Sequence, residues 1–217
     1  MSMEGDWRTT VKNWTAEAPE LFVKEEICRL GTRLRTGARA FSQDLVDRWP
    51  RHRTLIHGDF KTANLLFAPD VSSVSVVDWQ WCGAGLGAMD FVYLLYTSCD
   101  LEVLENEEQY RRLYFDGVVG HLEALGKPCS DFTWEVFNEQ CEMAALDYAR
   151  FLVGSMWVKN TPQSCVALAN SMNQGMHKRS VAHFVRLVGQ VDAFLAKKER
   201  NVKTGAGDAI VVVNDDR

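Results

Sequence analysis

Between Thr54 and Asp78 the chain breaks into short extended runs, Leu55-Ile56, Leu65-Leu66-Phe67 and Val74-Ser75-Val76-Val77, while the sequence around them carries helical periodicity. Ala68-Pro69-Asp70 supplies a turn between the last two runs, so 64–67 and 74–78 are expected to form a hairpin. That hairpin constrains everything else, because polar residues bracket it. His57-Gly58-Asp59-Phe60-Lys61-Thr62-Ala63-Asn64 leads into it, and Val76-Val77-Asp78-Trp79-Gln80 leads out, with Asp78 nineteen residues after Asp59. Pairing Phe67 with Ser75 would set Asn64 opposite Asp78, within the roughly 5 Å typical of facing residues. An amide oxygen and a carboxylate would then converge on one point, a donor pair suited to Mg²⁺ completed by waters and substrate phosphates. Asp59, just before the hairpin, would face the same point.

The flanking segments read as helices. Leu21, Phe22, Glu25, Ile27 and Leu30 predict an amphipathic helix stopped by Gly31, and Phe41, Leu45, Val46 and Trp49 predict a second over 37–49, ended by Pro50. After Asp78 comes a glycine-bearing loop, Cys82 to Gly87. The segment 88–98 follows, apolar almost all round and therefore expected to be a buried helix. Further helices are expected over 104–125, with Leu113, Tyr114 and Leu125 among the apolar positions and a stop at Gly126 and Pro128. Others are expected over 131–157, capped by Ser130 or Asp131, and over 163–197. Residues 1–19 are expected to be an N-terminal segment with little fixed order and 198–217 a mobile tail, in which Ile210 to Val213 could add a short strand.

Composition narrows the class of partner. The 217 residues are 47% hydrophobic and carry a net charge of −5, so a self-sufficient core is feasible but no basic field exists for gripping a phosphate backbone. Nucleic acid is not an expected partner. Six scattered cysteines without a C-x-x-C pair and the lack of an apolar leader read as reduced thiols in the cytoplasm. No apolar run reaches the roughly 20 residues needed to span a bilayer.

The bracketing motifs resemble the catalytic core of the kinase-like phosphotransferases, and in detail the aminoglycoside phosphotransferase and choline kinase group, with its ecdysteroid kinase-like branch. The shared pattern is H-G-D-x-x-x-x-N, a β-hairpin, D-aromatic-(acidic or amide), and an aspartate heading a buried helix, here Asp90 in Met89-Asp90-Phe91-Val92-Tyr93. The resemblance implies that Asp59 orients and deprotonates an acceptor hydroxyl, and that Asn64 and Asp78 hold Mg²⁺ and with it ATP. It further implies that His57 braces the loop and Asp90 supports it. Lys61, two residues after the aspartate as in serine/threonine protein kinases, would neutralise charge on the transferred phosphoryl group. The protein kinases themselves fit less well, since Trp79-Gln80 stands in place of Phe-Gly and no activation segment fits before Asp90.

The implied fold is α+β and mainly helical, a kinase-like C-terminal lobe over residues 20–197 with a small catalytic hairpin. The segment before His57 reads as helix, so the N-terminal nucleotide lobe is expected to be absent. Two functions follow: ATP-dependent phosphoryl transfer to a small-molecule alcohol, impaired by the missing lobe, or a catalytically inactive, pseudokinase-like binding module or truncated fragment. In the second, the face left by the missing lobe would take a docking partner or a second copy. Other readings are weaker. Gly83-x-Gly85-x-x-Ala88 stands too far from the strand end for a dinucleotide fingerprint, and His52, His57 and Asp59 lack a further ligand for zinc. Of Trp79 and Trp81, alternation would aim one at the site and one at the core. Cys82 reads as packing, and Met172 to Met176 as helix core or a kink.

Overall fold

In a computed structural model of the chain, the described residues are 2–168 and 180–204. They form ten helices, α1 (Met3–Trp14), α2 (Glu25–Cys28), α3 (Leu30–Thr36), α4 (Ala38–Arg48), α5 (Gly87–Ser98), α6 (Leu101–Glu105), α7 (Glu107–Ala124), α8 (Trp134–Phe151), α9 (Pro162–Leu168) and α10 (Val181–Thr204). Four short strands join them, β1 (Arg53–Ile56), β2 (Leu65–Phe67), β3 (Val74–Val76) and β4 (Gly83–Leu86). The fold is mainly helical with two small antiparallel sheets. The chain divides into two compact units, one built from residues up to Leu45 and from Ala145 onward, the other from Val46 to Ala144.

The first unit corrects the reading of residues 1–19. Ser2 caps α1 by accepting the Gly5 N–H at 3.3 Å, and Glu4 and Asp6 in the first turn with Lys12 in the last complement the helix dipole. Trp7 and Trp14 are fully buried; their indole N–H groups donate to the carbonyls of Ile27 at 2.7 Å and Asn160 at 3.0 Å, and Trp14 stacks on Phe184 at 3.9 Å. Two tryptophans at seven-residue spacing anchor this helix, so residues 3–14 are ordered and packed. Gly31 is also not a stop: it lies inside α3, where a Cβ would come within 2.7 Å of the Met3 carbonyl and of Trp7. The glycine lets α1 and α3 approach closely.

The second unit carries the hairpin. β2 and β3 pair as Leu65↔Val76, Leu66↔Ser75 and Phe67↔Val74, one residue out of the expected register. The loop decides this, because Ala68 N–H donates to Ser73 at 3.0 Å and so sets 67 against 74. Asn64 therefore faces Val77, whose N–H donates to its carbonyl at 3.0 Å, and does not face Asp78. The expected glycine loop also proves to be strand: Gly83–Leu86 pairs antiparallel with β1, from Arg53↔Leu86 to Ile56↔Gly83. Its glycines hid it, yet one is needed, since a Cβ at Gly85 would run into Ile56.

Helix α5 has no exposed residue, in keeping with its all-round apolar pattern. The segment 104–125 is interrupted at Asn106 between α6 and α7, and α7 ends in a Schellman turn: Gly126 at φ +63° and Lys127 donate to Glu123 and Leu122. Leu113 and Leu125, expected inside, are 71% and 65% exposed, because α7 buries Glu107 and Arg111 instead, paired through their side chains. Thr133, not Ser130 or Asp131, caps α8 through the Val136 N–H at 3.3 Å. The helix expected over 131–157 leaves α geometry at Leu152, where a π-turn follows. Met172 to Met176 and Ile210 to Val213 lie outside the described residues, and α10 carries the start of the expected tail to Thr204.

Candidate active site

The loop from His57 to Asn64 leaves the end of β1 and is fixed from below by one helix. Asp90, in the first turn of α5, accepts the N–H of His57 on Oδ2 at 2.6 Å and the N–H of Gly58 on Oδ1 at 2.9 Å. Gly58 sits at φ +80° with the Trp81 carbonyl where a Cβ would stand, so the turn demands glycine twice over. Further along α5, Tyr93 donates its hydroxyl to Asp59 Oδ1 at 3.0 Å, and Ser98 accepts the Thr62 N–H at 2.8 Å. Asp90, Tyr93 and Ser98 fall on one face of an otherwise apolar helix.

The loop's own side chains complete the arrangement. His57 is 2% exposed; its Nε2–H donates to the Val77 carbonyl at 2.8 Å and its Nδ1 accepts the Asp59 N–H at 3.2 Å. One imidazole thus ties the end of the hairpin to the loop, with Nε2 as donor and Nδ1 as acceptor. Lys61 Nζ lies 2.7 Å from Asp59 Oδ2. Asn64, 6% exposed, spends its amide nitrogen on the Asp59 carbonyl at 2.8 Å and on Oδ2 at 3.2 Å, which leaves its amide oxygen without a protein donor among the described residues.

Burial raises the pKa of Asp59, but the bonds from Lys61 and Tyr93, the Lys61 charge and the Asn64 amide outweigh it and hold the carboxyl below its usual range. Asp59 is therefore a carboxylate at neutral pH. Burial and the neighbouring Asp59 charge push the Tyr93 hydroxyl up to about 12, so it remains a donor.

Asp78 stands outside this hydrogen-bonded set. It is exposed, occupies the left-handed region at φ +64°, and accepts from Gln80 Nε2 at 3.4 Å. Aspartate tolerates that conformation better than most residues, and adopting it takes Asp78 off the β3 pleat. Trp79 and Trp81 are 45% and 69% exposed, so neither is a core residue, and the Trp79 ring lies 4.8 Å from that of His57. Cys82 is likewise exposed and not packed. His52 is engaged elsewhere, with Gln140 at 2.8 Å.

No cluster of three or more histidine, cysteine or acidic side chains arranged for a metal occurs among the described residues. One amide oxygen and one carboxylate are the donor set that a nucleotide-borne Mg²⁺ accepts, and Asn64 and Asp78 supply those types.

Tyr93 and Ser98 are the site residues that motif reading missed. Their signal was present as polar positions at 90, 93, 97 and 98 interrupting an apolar helix at three- and four-residue steps.

A profile of the Ecdysteroid kinase-like family matches residues 3–127, more than half of the chain. The chain belongs to the ecdysteroid kinase-like family. The match takes in the motif from His57 to Asn64, the hairpin, Asp78 and all of α5, and it begins with α1. No curated protein and no solved structure matches the chain. No helix among the described residues is long and apolar enough to cross a membrane.

Proposed function

We propose that this ecdysteroid kinase-like chain carries the acceptor side of a phosphotransferase, moving the γ-phosphoryl group of ATP to a hydroxyl of a small molecule. The observation that carries the reading is the Asp59 carboxylate, ionised and held by Tyr93, Lys61 and Asn64 on a loop pinned by Asp90. An acceptor hydroxyl would hydrogen-bond to Asp59 in place of Lys61. Its proton passes to the carboxylate as its oxygen forms the new P–O bond and the bond to the ADP leaving group breaks. Lys61, released from Oδ2, would meet the charge on the phosphoryl oxygens, while Tyr93 keeps Oδ1 in place. Asn64 and Asp78 would hold Mg²⁺, which when bound neutralises the phosphates.

Among the described residues the strands form only two two-stranded sheets, so ATP would be held from the acceptor side and turnover would be slow. The test is ADP release from Mg·ATP against a panel of alcohols that includes an ecdysteroid, as the family's name invites. The account expects acceptor-dependent ADP release that falls at least a hundredfold in Asp59→Asn. Release that is equal in both proteins, or absent with every alcohol, counts against it.

A specific observation favours a second reading, a non-catalytic binding module. Leu66, Phe67, Trp79 and Trp81, on and beside the hairpin, are 45 to 69% exposed, four large apolar side chains left to water in one region. A complementary lobe or a second copy would cover it. Self-association that Leu66→Ser with Phe67→Ser abolishes, without ADP release under any condition, would favour this reading over the first.

A further inference from the structure

The second unit encloses a concavity of about 300 Å³ that no residue of the catalytic loop lines. Its walls come from the start of β1, from α7, from the segment after Gly126 and from α8; Val118, Leu122 and Phe132 give it an apolar side. Its polar side is organised. Gln140 on α8, 1% exposed, donates its amide to His52 Nδ1 at 2.8 Å, which leaves the imidazole proton on Nε2, facing Asp131 at 3.6 Å. A glutamine and a histidine buried together cost desolvation that an apolar pair in the same wall would not.

Tyr114 supplies the next polar group. Its hydroxyl lies so close to Gly87 that a Cβ there would overlap it, and it has no hydrogen-bond partner among the described residues. Burial, with Cys141 and the Asp90 carboxylate nearby, pushes this hydroxyl up to about 12, so it stays protonated and can donate to a ligand. At the rim, Arg51 is 70% exposed and 3.4 Å from Asp131, itself 40% exposed, a loose pair that a stronger partner can replace. The cavity thus presents donors, Tyr114 O–H, His52 Nε2–H and Arg51, against an apolar wall. Its volume is at the lower end of small-molecule sites.

We propose that this concavity is a second ligand site, for a compact aromatic or alicyclic carboxylate, distinct from the phosphoryl-transfer loop. The carboxylate takes the place of Asp131 beside Arg51 and His52 and accepts from Tyr114, and the ring lies against Val118, Leu122 and Phe132.

The test uses the full chain and 3-phenylpropionate as the probe, followed by saturation-transfer NMR and titration, with 3-phenylpropylamine as the charge-reversed control. The proposal expects the carboxylate to bind and the amine not to. Tyr114→Phe, which removes one oxygen and keeps the ring, should weaken binding about fivefold or more. Val118→Trp, which fills the cavity from a half-buried position, should abolish binding; Leu122→Trp repeats that test from the next turn if the first variant does not fold. No binding of 3-phenylpropionate at millimolar concentration overturns the proposal. So does equal binding of the amine, and so does binding indifferent to Tyr114→Phe.

Discussion

Tyr93 donates its hydroxyl to Asp59 Oδ1 at 3.0 Å, joining a buried helix to the carboxylate proposed as the base. This bond is made to a charged acceptor and belongs to the stronger kind. Tyr93→Phe should therefore raise the Asp59 pKa toward the usual carboxylate range and lower stability by about 1 kcal/mol. Carboxyl ¹³C titration and urea unfolding measure the two effects. An unchanged Asp59 titration would show that Lys61 and Asn64 hold the carboxylate without help.

Asp90 should be the costliest polar substitution in the unit. Its two oxygens accept the consecutive N–H groups of His57 and Gly58. Asp90→Asn keeps the shape but turns an N–H₂ toward one of those donors, so the variant should lose about 2–4 kcal/mol in urea unfolding. A loss below 1 kcal/mol would mean that the loop is held from elsewhere.

Gly58 tolerates no side chain. At φ +80°, with the Trp81 carbonyl in the space of a Cβ, Gly58→Ala should cost about 2 kcal/mol or more and speed amide exchange at Asp59 and Phe60. The control is Gly83→Ala, because a Cβ at Gly83 meets nothing within 4 Å. Equal effects at the two positions would contradict the account.

Alkali should destabilise the protein before it ionises the buried groups. Burial pushes the Cys141 thiol up to about 12 from 9.0; the Arg111 charge pulls the other way and Glu107 and Glu142 add to the rise. Tyr114 moves to about 12 from 10.0. Both folded values lie above the unfolded ones, so the native state binds more protons through this range. The stabilisation is complete below about pH 9 and is lost as pH rises toward 12. Urea midpoints should fall from pH 9 upward, and Cys141→Ser should change the slope. A flat profile over that range would refute the burial argument.

Much of the site was legible because it is local. His57, Gly58, Asp59, Lys61 and Asn64 fall within eight residues, and Asp90 stands out near the start of a largely apolar stretch, so a linear reading finds them. Elements fixed by long-range packing were not legible. The strand Gly83–Leu86 has a composition that argues against β structure and exists because β1 pairs with it. The hairpin register depended on how Ala68 and Ser73 close the loop, and a slip of one residue was enough to lose the expected opposition of Asn64 and Asp78. Helix α1 was missed because its two tryptophans, not an apolar stripe, hold it in place.

The central proposal, that Asn64 and Asp78 would together hold a nucleotide-borne metal beside Asp59, is tested most directly by adding Mn²⁺·ATP to ¹⁵N-labelled protein. The paramagnetic ion should bleach the amide signals of Asn64, Asp78 and the loop from Gly58 to Lys61, require ATP to do so, and fail in Asp78→Ala. Bleaching centred elsewhere, or none at millimolar Mn²⁺·ATP, would contradict the account.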